Sequence, residues 1–180
     1  MKSLVPDPVV LGMIKKHPTH GYDLLEQFNS NERLGRIWTM STSQLYAVLK
    51  RLEKQKAIIG KEVFVPDAPP RREYVITDEG ERQLHKWLWE PNPSTSVHHI
   101  RVMFLSRIYI ATILNLSTER IVDAQKNMCL LQLNKLTTIY EQSDSIYEKF
   151  TLDFVVGQLG SALAWLDRLN LQIADRINEM

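Results

Sequence analysis

Between residues 41 and 54 the apolar positions fall at Leu45, Val48, Leu49 and Leu52. Spacing of i, i+3, i+4 and i+7 puts them on one stripe of a helix. Ser41 can cap that helix, and Gln44, three residues on, can reach back to the Ser41 N–H, so the pair predicts a capping box. The opposite face carries Ser43, Ala47, Lys50 and Lys54, flanked by Gln44 and Arg51 on one side and Tyr46 on the other. Small hydroxyls, an amide, a phenol and three cations, with only Glu53 as an acid close by, suit base edges and phosphate. A solvated surface helix has the same broad look, so the neighbouring elements decide between the two.

Upstream, Asp7 is expected to cap a helix whose first residue is Pro8, a favoured position for proline. Val9, Val10, Met13 and Ile14 form its apolar side, and Pro18 follows its end. A second helix is predicted from about 19–21, turning Tyr22, Leu24, Leu25 and Phe28 inward and fading over 29–32. The loop 34–39 holds Trp38, expected as a packing anchor for the next helix. Downstream, residues 58–65 and 73–77 read as two strands around a Pro-rich turn, 66–72, that holds Arg71 and Arg72. Asp78 and Glu81 predict a second capping box opening a helix that runs through Trp87 and Leu88 to about Glu90.

Residues 91–96, Pro-Asn-Pro-Ser-Thr-Ser, form the expected linker between a domain at 1–90 and a domain at 97–180. Beyond it the pattern is helical throughout, with helices expected near 97–114, from 117 or 118 to about 142, and from about 149 to the end. In the last helix Leu152, Val156, Leu159, Leu163, Leu166, Asn170, Ile173 and Ile177 repeat with alternating spacings of four and three, a heptad seam with one polar member. Gly157, Gly160, Ser161 and Ala164 form a neighbouring stripe of small residues. An intramolecular bundle would also use such a seam, but pairing with a second subunit is the preferred reading.

Composition adds location rather than class. With 44% hydrophobic and 24% charged residues over 180 positions, the chain is an ordinary globular one and disorder is not expected. Formal net charge is only +1, so the whole chain carries no nucleic-acid signal. Residues 41–72, however, hold seven Lys/Arg against three acids, while 91–180 hold eight against nine. A local basic patch is what DNA contact needs. The single cysteine, Cys129, forms no internal disulfide, and a reducing cytoplasm is the expected compartment. No apolar h-region follows Met1 and no run of 18 apolar residues occurs, so neither a signal peptide nor a membrane span is expected.

Helix, helix, helix, hairpin with a basic turn, helix is the order of a winged helix-turn-helix, in which 41–55 enters the major groove and 66–72 is the wing. The fold class expected is therefore mainly α: an N-terminal winged helix-turn-helix with a two-stranded β wing, plus an all-helical C-terminal dimerisation domain. His20-Gly21-Tyr22-Asp23-Leu24, Leu45-Tyr46-Ala47-Val48-Leu49-Lys50-Arg51-Leu52-Glu53, Pro70-Arg71-Arg72-Glu73-Tyr74 and Thr77-Asp78-Glu79-Gly80, taken together and in this order, resemble the PadR family of transcriptional regulators. The likeness covers about 8–90. The remainder resembles, in length and helix pattern, the larger all-helical C-terminal domain of the subgroup that includes virulence regulators. The chain departs from the family pattern at Ala47, where a proline is common, and at Gln55-Lys56-Ala57, where a glycine is common. Its wing is Pro-rich rather than Gly-led.

The resemblance implies a homodimeric, mostly repressor-type binder of double-stranded DNA. It implies contacts from Ser41, Ser43, Gln44, Tyr46 and Lys50 in the helix and from Arg71 and Arg72 in the wing. The outer face itself adds Arg51, suited to a base edge, and Lys54, suited to phosphate. His20 and Tyr22 are expected to hold the second helix in place rather than to touch DNA.

Three other readings compete. Catalysis is not expected, because no nucleophile elbow, P-loop, HExxH or Gly-rich dinucleotide turn is present, and no cofactor is implied. His98 and His99 diverge on a helix with no third ligand near, so a metal site is not expected. Cys129 sits among Met128, Leu130 and Leu131 and reads as a buried, inert thiol. A winged helix can instead serve as a protein-interaction adaptor without sequence-specific DNA binding, which the basic patch disfavours. Trp89 and Trp165 could stack a small aromatic effector, against the simpler reading that both are packing residues.

Overall fold

Pro6 precedes α1 (Asp7–Lys16), so the backbone enters the helix with no side-chain cap. Asp7 was expected as that cap. It is instead the first helical residue, and its carboxylate turns to Arg51. The computed structural model describes residues 4–30, 34–64 and 71–178, with side chains as far as 169. Residues 66–70 of the expected wing turn, residues 31 and 32, and the side chains of Asn170, Ile173 and Ile177 lie outside that set.

After α1 come β1 (Thr19–His20), α2 (Gly21–Asn29), a 3-10 turn at Leu34–Arg36, α3 (Thr42–Lys54), β2 (Ile58–Val63), β3 (Arg71–Ile76) and α4 (Asp78–Leu88). The expected two-stranded hairpin gains a third strand. Thr19 and His20 pair with Tyr74 and Glu73, giving the antiparallel order β1-β3-β2. The second capping box also shifts. Thr77 is the N-cap of α4, its Oγ accepting from the Gly80 N–H at 3.2 Å, and Asp78 becomes the first helical residue. The acids Asp78, Glu79 and Glu81 still occupy the first turn, where the helix dipole favours them.

The chain folds into two units: Met1–Trp89 with Leu105–Ser117, and Glu90–Phe104 with Thr118–Met180. The expected second domain, 97–180, thus yields Leu105–Ser117 to the first unit. Side-chain chemistry explains this. Gly12 of α1 sits directly under Ile110 of α6 (Leu105–Ile113), where an added Cβ would lie 2.4 Å from Ile110 Cγ2. The buried Arg107 donates from Nε to the Trp87 carbonyl at 2.8 Å and lays its guanidinium over the Trp87 ring. Trp38 donates its indole N–H to Ser106 Oγ at 2.8 Å, so the loop before α3 is tied to α6. The core of this unit joins α1, α2, α3 and α4 through Val10, Leu11, Ile14, Leu24, Phe28, Leu45, Leu49, Leu52, Leu84 and Leu88.

The second unit contains α5 (Val97–His99), a π-helical turn at Ile100–Phe104, α7 (Glu119–Gln142) and α8 (Ile146–Asn178). Residues 143–145 join α7 to α8, and the two pack along each other. That packing takes up part of the heptad seam expected for a second subunit, while Leu152 and Val156 stay half-buried. Leu159, Leu163 and Leu166 are buried inside their own chain, and Trp165 meets Phe104 edge-on at 5.7 Å. Cys129 is fully buried, its thiol pushed above its usual pKa by burial, with a hydrogen bond from Gln125 working weakly the other way. What α8 leaves exposed is a different line: Tyr147, Phe150 and Phe154, continued by Gly157 and Ser161.

Candidate nucleic-acid interface

The capping box at the start of α3 forms as the sequence predicts. Ser41 Oγ accepts from the Gln44 N–H at 3.3 Å, and Gln44 Oε1 accepts from the Ser41 N–H at 2.8 Å. Ser43 Oγ lies 3.0 Å from Ser41 Oγ. Leu45, Val48, Leu49 and Leu52 are all buried, so the outer face is fixed in direction. Ser43, Gln44, Tyr46, Ala47, Lys50 and Lys54 are exposed on it.

The two edges of that face are tied down by ion pairs. Arg51, expected as a free cation, donates from Nε and Nη2 to the two Asp7 oxygens, each at 2.6 Å. Hydrogen bonding to Asp7 raises its pKa above the usual guanidinium value, with the Asp7 charge adding to the shift. On the other edge, Arg72 donates to Glu53 Oε1 at 2.7 Å, and its pKa is raised by the same two effects. Both arginines therefore strap α3 to its neighbours. Among the described residues, no ion pair engages Lys50, Lys54 or Arg71.

Arg71 and Arg72 were expected within the turn. They are instead the first two residues of β3, paired with Val63 and Glu62. Successive strand residues point to opposite faces, so only one of the two can share the Glu53 side. Beside them is an open cleft of about 550 Å³ lined by His20, Tyr22, Tyr46, Arg71, Arg72 and Tyr74, among others. Tyr22 was expected to point inward. It is 75% exposed, because α2 begins at Gly21 and buries Leu24 and Phe28, which lie on the opposite side from Tyr22. His20 does hold its neighbours in place: its Nδ1 is 3.1 Å from the Arg72 carbonyl oxygen, alongside the β1–β3 pairing. The part played by β1 was not readable, since two residues show no period.

A family model described as "Transcriptional regulator PadR-like family" matches residues 10–86. Residues 10–86 belong to the PadR-like family of transcriptional regulators. The matched PadR-like span begins in α1 and ends in α4, and so contains α3 and the three-stranded sheet. The negative transcriptional regulator PadR of Bacillus subtilis is 29% identical over 142 residues, covering 78% of this chain and 71% of the relative. A probable transcriptional regulator of Mycobacterium tuberculosis is 27% identical over 82 residues, covering 46% of this chain and 42% of the relative. The crystal structure of Bacillus subtilis PadR in complex with operator DNA aligns over 93% of this chain and 98% of that one, at 23% identity and a TM-score of 0.46.

Trp89 and Trp165, the candidate effector stackers, fall in different units. Trp89 meets His85 at 6.2 Å and Trp165 meets Phe104. His98 and His99 stand edge to face at 6.2 Å, and among the described residues no group of three His, Cys, Asp or Glu could hold a metal. No helix among the described residues is long and apolar enough to cross a membrane.

Proposed function

We propose that this PadR-like regulator binds double-stranded DNA sequence-specifically as a homodimer and represses transcription at an inverted-repeat operator. The observation that carries the reading is the outer face of α3, which is exposed and polar while both its edges are held by ion pairs. A face fixed in this way is preorganised, so little side-chain and backbone order is lost on docking. Ser43, the Gln44 amide nitrogen and Tyr46 are suited to base edges. Lys50, Lys54 and Arg71 are suited to phosphate. Ser41 acts as the cap, and Arg51 and Arg72 act as struts.

The homodimer is the second part of the proposal. Tyr147, Phe150, Phe154, Gly157, Ser161 and Ala164 on α8 repeat with spacings of three and four, which is a second seam beside the buried one. Its aromatic members are 64–80% exposed, and nothing lies within 4 Å of a Cβ built at Gly157 or Gly160. An exposed apolar line of this kind marks an interaction site, and its helical repeat fits a second copy of the same helix. Paired α3 helices would then read half-sites about 34 Å apart. No enzyme activity belongs to this reading, and the proposed place of action is the cytoplasm.

The test is a salt series on a duplex that the protein binds. Replacing Lys50 and Arg71 with Ala removes two cations from each of two chains and is expected to weaken binding about equally on cognate and scrambled duplexes and to reduce the salt slope by about 4. Gln44→Ala should weaken cognate binding more than scrambled. Loss of neither would leave the adaptor reading standing instead.

A further inference from the structure

The exposed Arg72–Glu53 pair adds little to fold stability, because solvent screens it. Its geometry nevertheless involves three separate elements. Glu53 sits in the last turn of α3 and is half-buried. Its Oε1 accepts from Arg72 on β3 at 2.7 Å and from the Gly60 N–H on β2 at 3.1 Å. With the order β1-β3-β2, β2 is the sheet edge, and alternate N–H groups of an edge strand point away from the ladder. The Gly60 N–H is one of these, and the carboxylate takes it. To reach the same oxygen, the Arg72 guanidinium passes over Gly60. A Cβ there would lie 2.3 Å from Arg72 Nε and 2.7 Å from Glu53 Oε1. A side chain there would push both of these side-chain ends out of their present positions.

We propose that Glu53, Gly60 and Arg72 form a strap that fixes the β2–β3 hairpin against the end of α3, and that this fixed position, rather than the charge of Arg72, is the triad's contribution to DNA affinity. The proposal rests on the reading of α3 and the hairpin as the DNA-facing surface. Arg72 and Glu53 are positioning residues, and Arg71, next in the strand, is the cation left for phosphate. The charge bookkeeping makes the idea decidable. Glu53→Gln removes a negative charge beside the proposed phosphate path, so simple electrostatics requires tighter binding. A strap requires weaker binding from the same change.

The experiment compares the full-length wild type with Glu53→Gln, Gly60→Ala, Arg72→Met, Arg72→Lys and Arg71→Ala. One readout is amide hydrogen exchange at Gly60 without DNA. The other is affinity across a salt series for a duplex selected by the wild type. Thermal midpoints of the variants serve as the check on folding and are expected to stay near wild type. Arg72→Met, Glu53→Gln and Gly60→Ala are expected to speed Gly60 exchange and to lose about tenfold in affinity with an unchanged salt slope, while Arg72→Lys recovers much of the loss. Arg71→Ala, lost from both chains, is expected to lower the slope by about 2 and to leave Gly60 exchange alone. Tighter binding by Glu53→Gln, or unchanged Gly60 exchange together with a reduced slope in Arg72→Met, would overturn the strap. A wild type that binds no duplex would remove the preceding reading and the DNA half of this one together. The exchange rates would then decide the strap itself, with unchanged rates counting against it.

Discussion

α3 and α8 are both amphipathic helices, and each buries one stripe of leucines in its own chain. They differ in what remains outside. α3 exposes Ser43, Gln44, Tyr46, Lys50 and Lys54, whereas α8 exposes Tyr147, Phe150, Phe154 and a run of small residues. A buried stripe tells where a helix docks within its own fold, and the outer face tells what it is left to meet. For α3 that is a polar, anionic surface. For α8, in the proposed dimer, it is another apolar helix. The heptad seam from Leu152 reads as the dimer contact because its period is clean, yet Leu159, Leu163 and Leu166 are already buried within the chain, where α8 packs along α7.

The largest expected effect treats the two buried stripes alike. Leu52→Ala in α3 and Leu166→Ala in α8, both fully buried, should each cost about 2–5 kcal/mol in urea unfolding, because each leaves a cavity. A near-neutral Leu166→Ala would mean that the seam is not core. The outer faces should then separate the helices. Phe154→Asp is expected to raise the dimer dissociation constant about 30-fold or more, the size of a hot-spot loss of about 2 kcal/mol. Light scattering would show a one-chain mass where the wild type shows two, with helical circular dichroism retained. The equivalent change in α3, Lys50→Ala, should leave the two-chain mass intact.

Smaller effects probe the ends of α3. Ser41→Ala removes the capping hydroxyl and should cost about 1 kcal/mol of stability. At the other end, Lys56 holds φ at 57°, the left-handed conformation that follows many helices and that glycine adopts without strain. This is the segment where the chain departs from the family pattern. Lys56→Gly should therefore stabilise the fold by up to about 1 kcal/mol, measured by the same urea titration. Destabilisation there would mean that the lysine side chain holds a contact worth more than the backbone strain.

What was legible in the sequence was local. The α3 stripe and its capping box span twelve residues, so both partners of every interaction lie within one helix. The hairpin was legible from its β-rich runs, and the residues resembling the family fell inside 8–90, close to the matched 10–86. What was not legible joins residues far apart in the chain. Asp7 and Arg51 are 44 positions apart, and Glu53 and Arg72 are 19 apart. No periodicity links such pairs, so the ion pairs that Arg51 and Arg72 make were not foreseen. Trp38 and Ser106 are 68 positions apart, which is why α6 was expected in the wrong unit. Tyr22 was misplaced for a local reason: at about 100° per residue it stands about 200° round α2 from the buried Leu24, so the two do not share one inward stripe.

The reading of a symmetric, DNA-binding dimer is tested most directly by selecting duplexes from a random pool with the full-length wild type and sequencing what it retains. The expected result is an inverted repeat with half-sites about 10 bp from centre to centre, bound by two chains. Retention of no preferred sequence, or of a lone half-site bound by one chain, would contradict it.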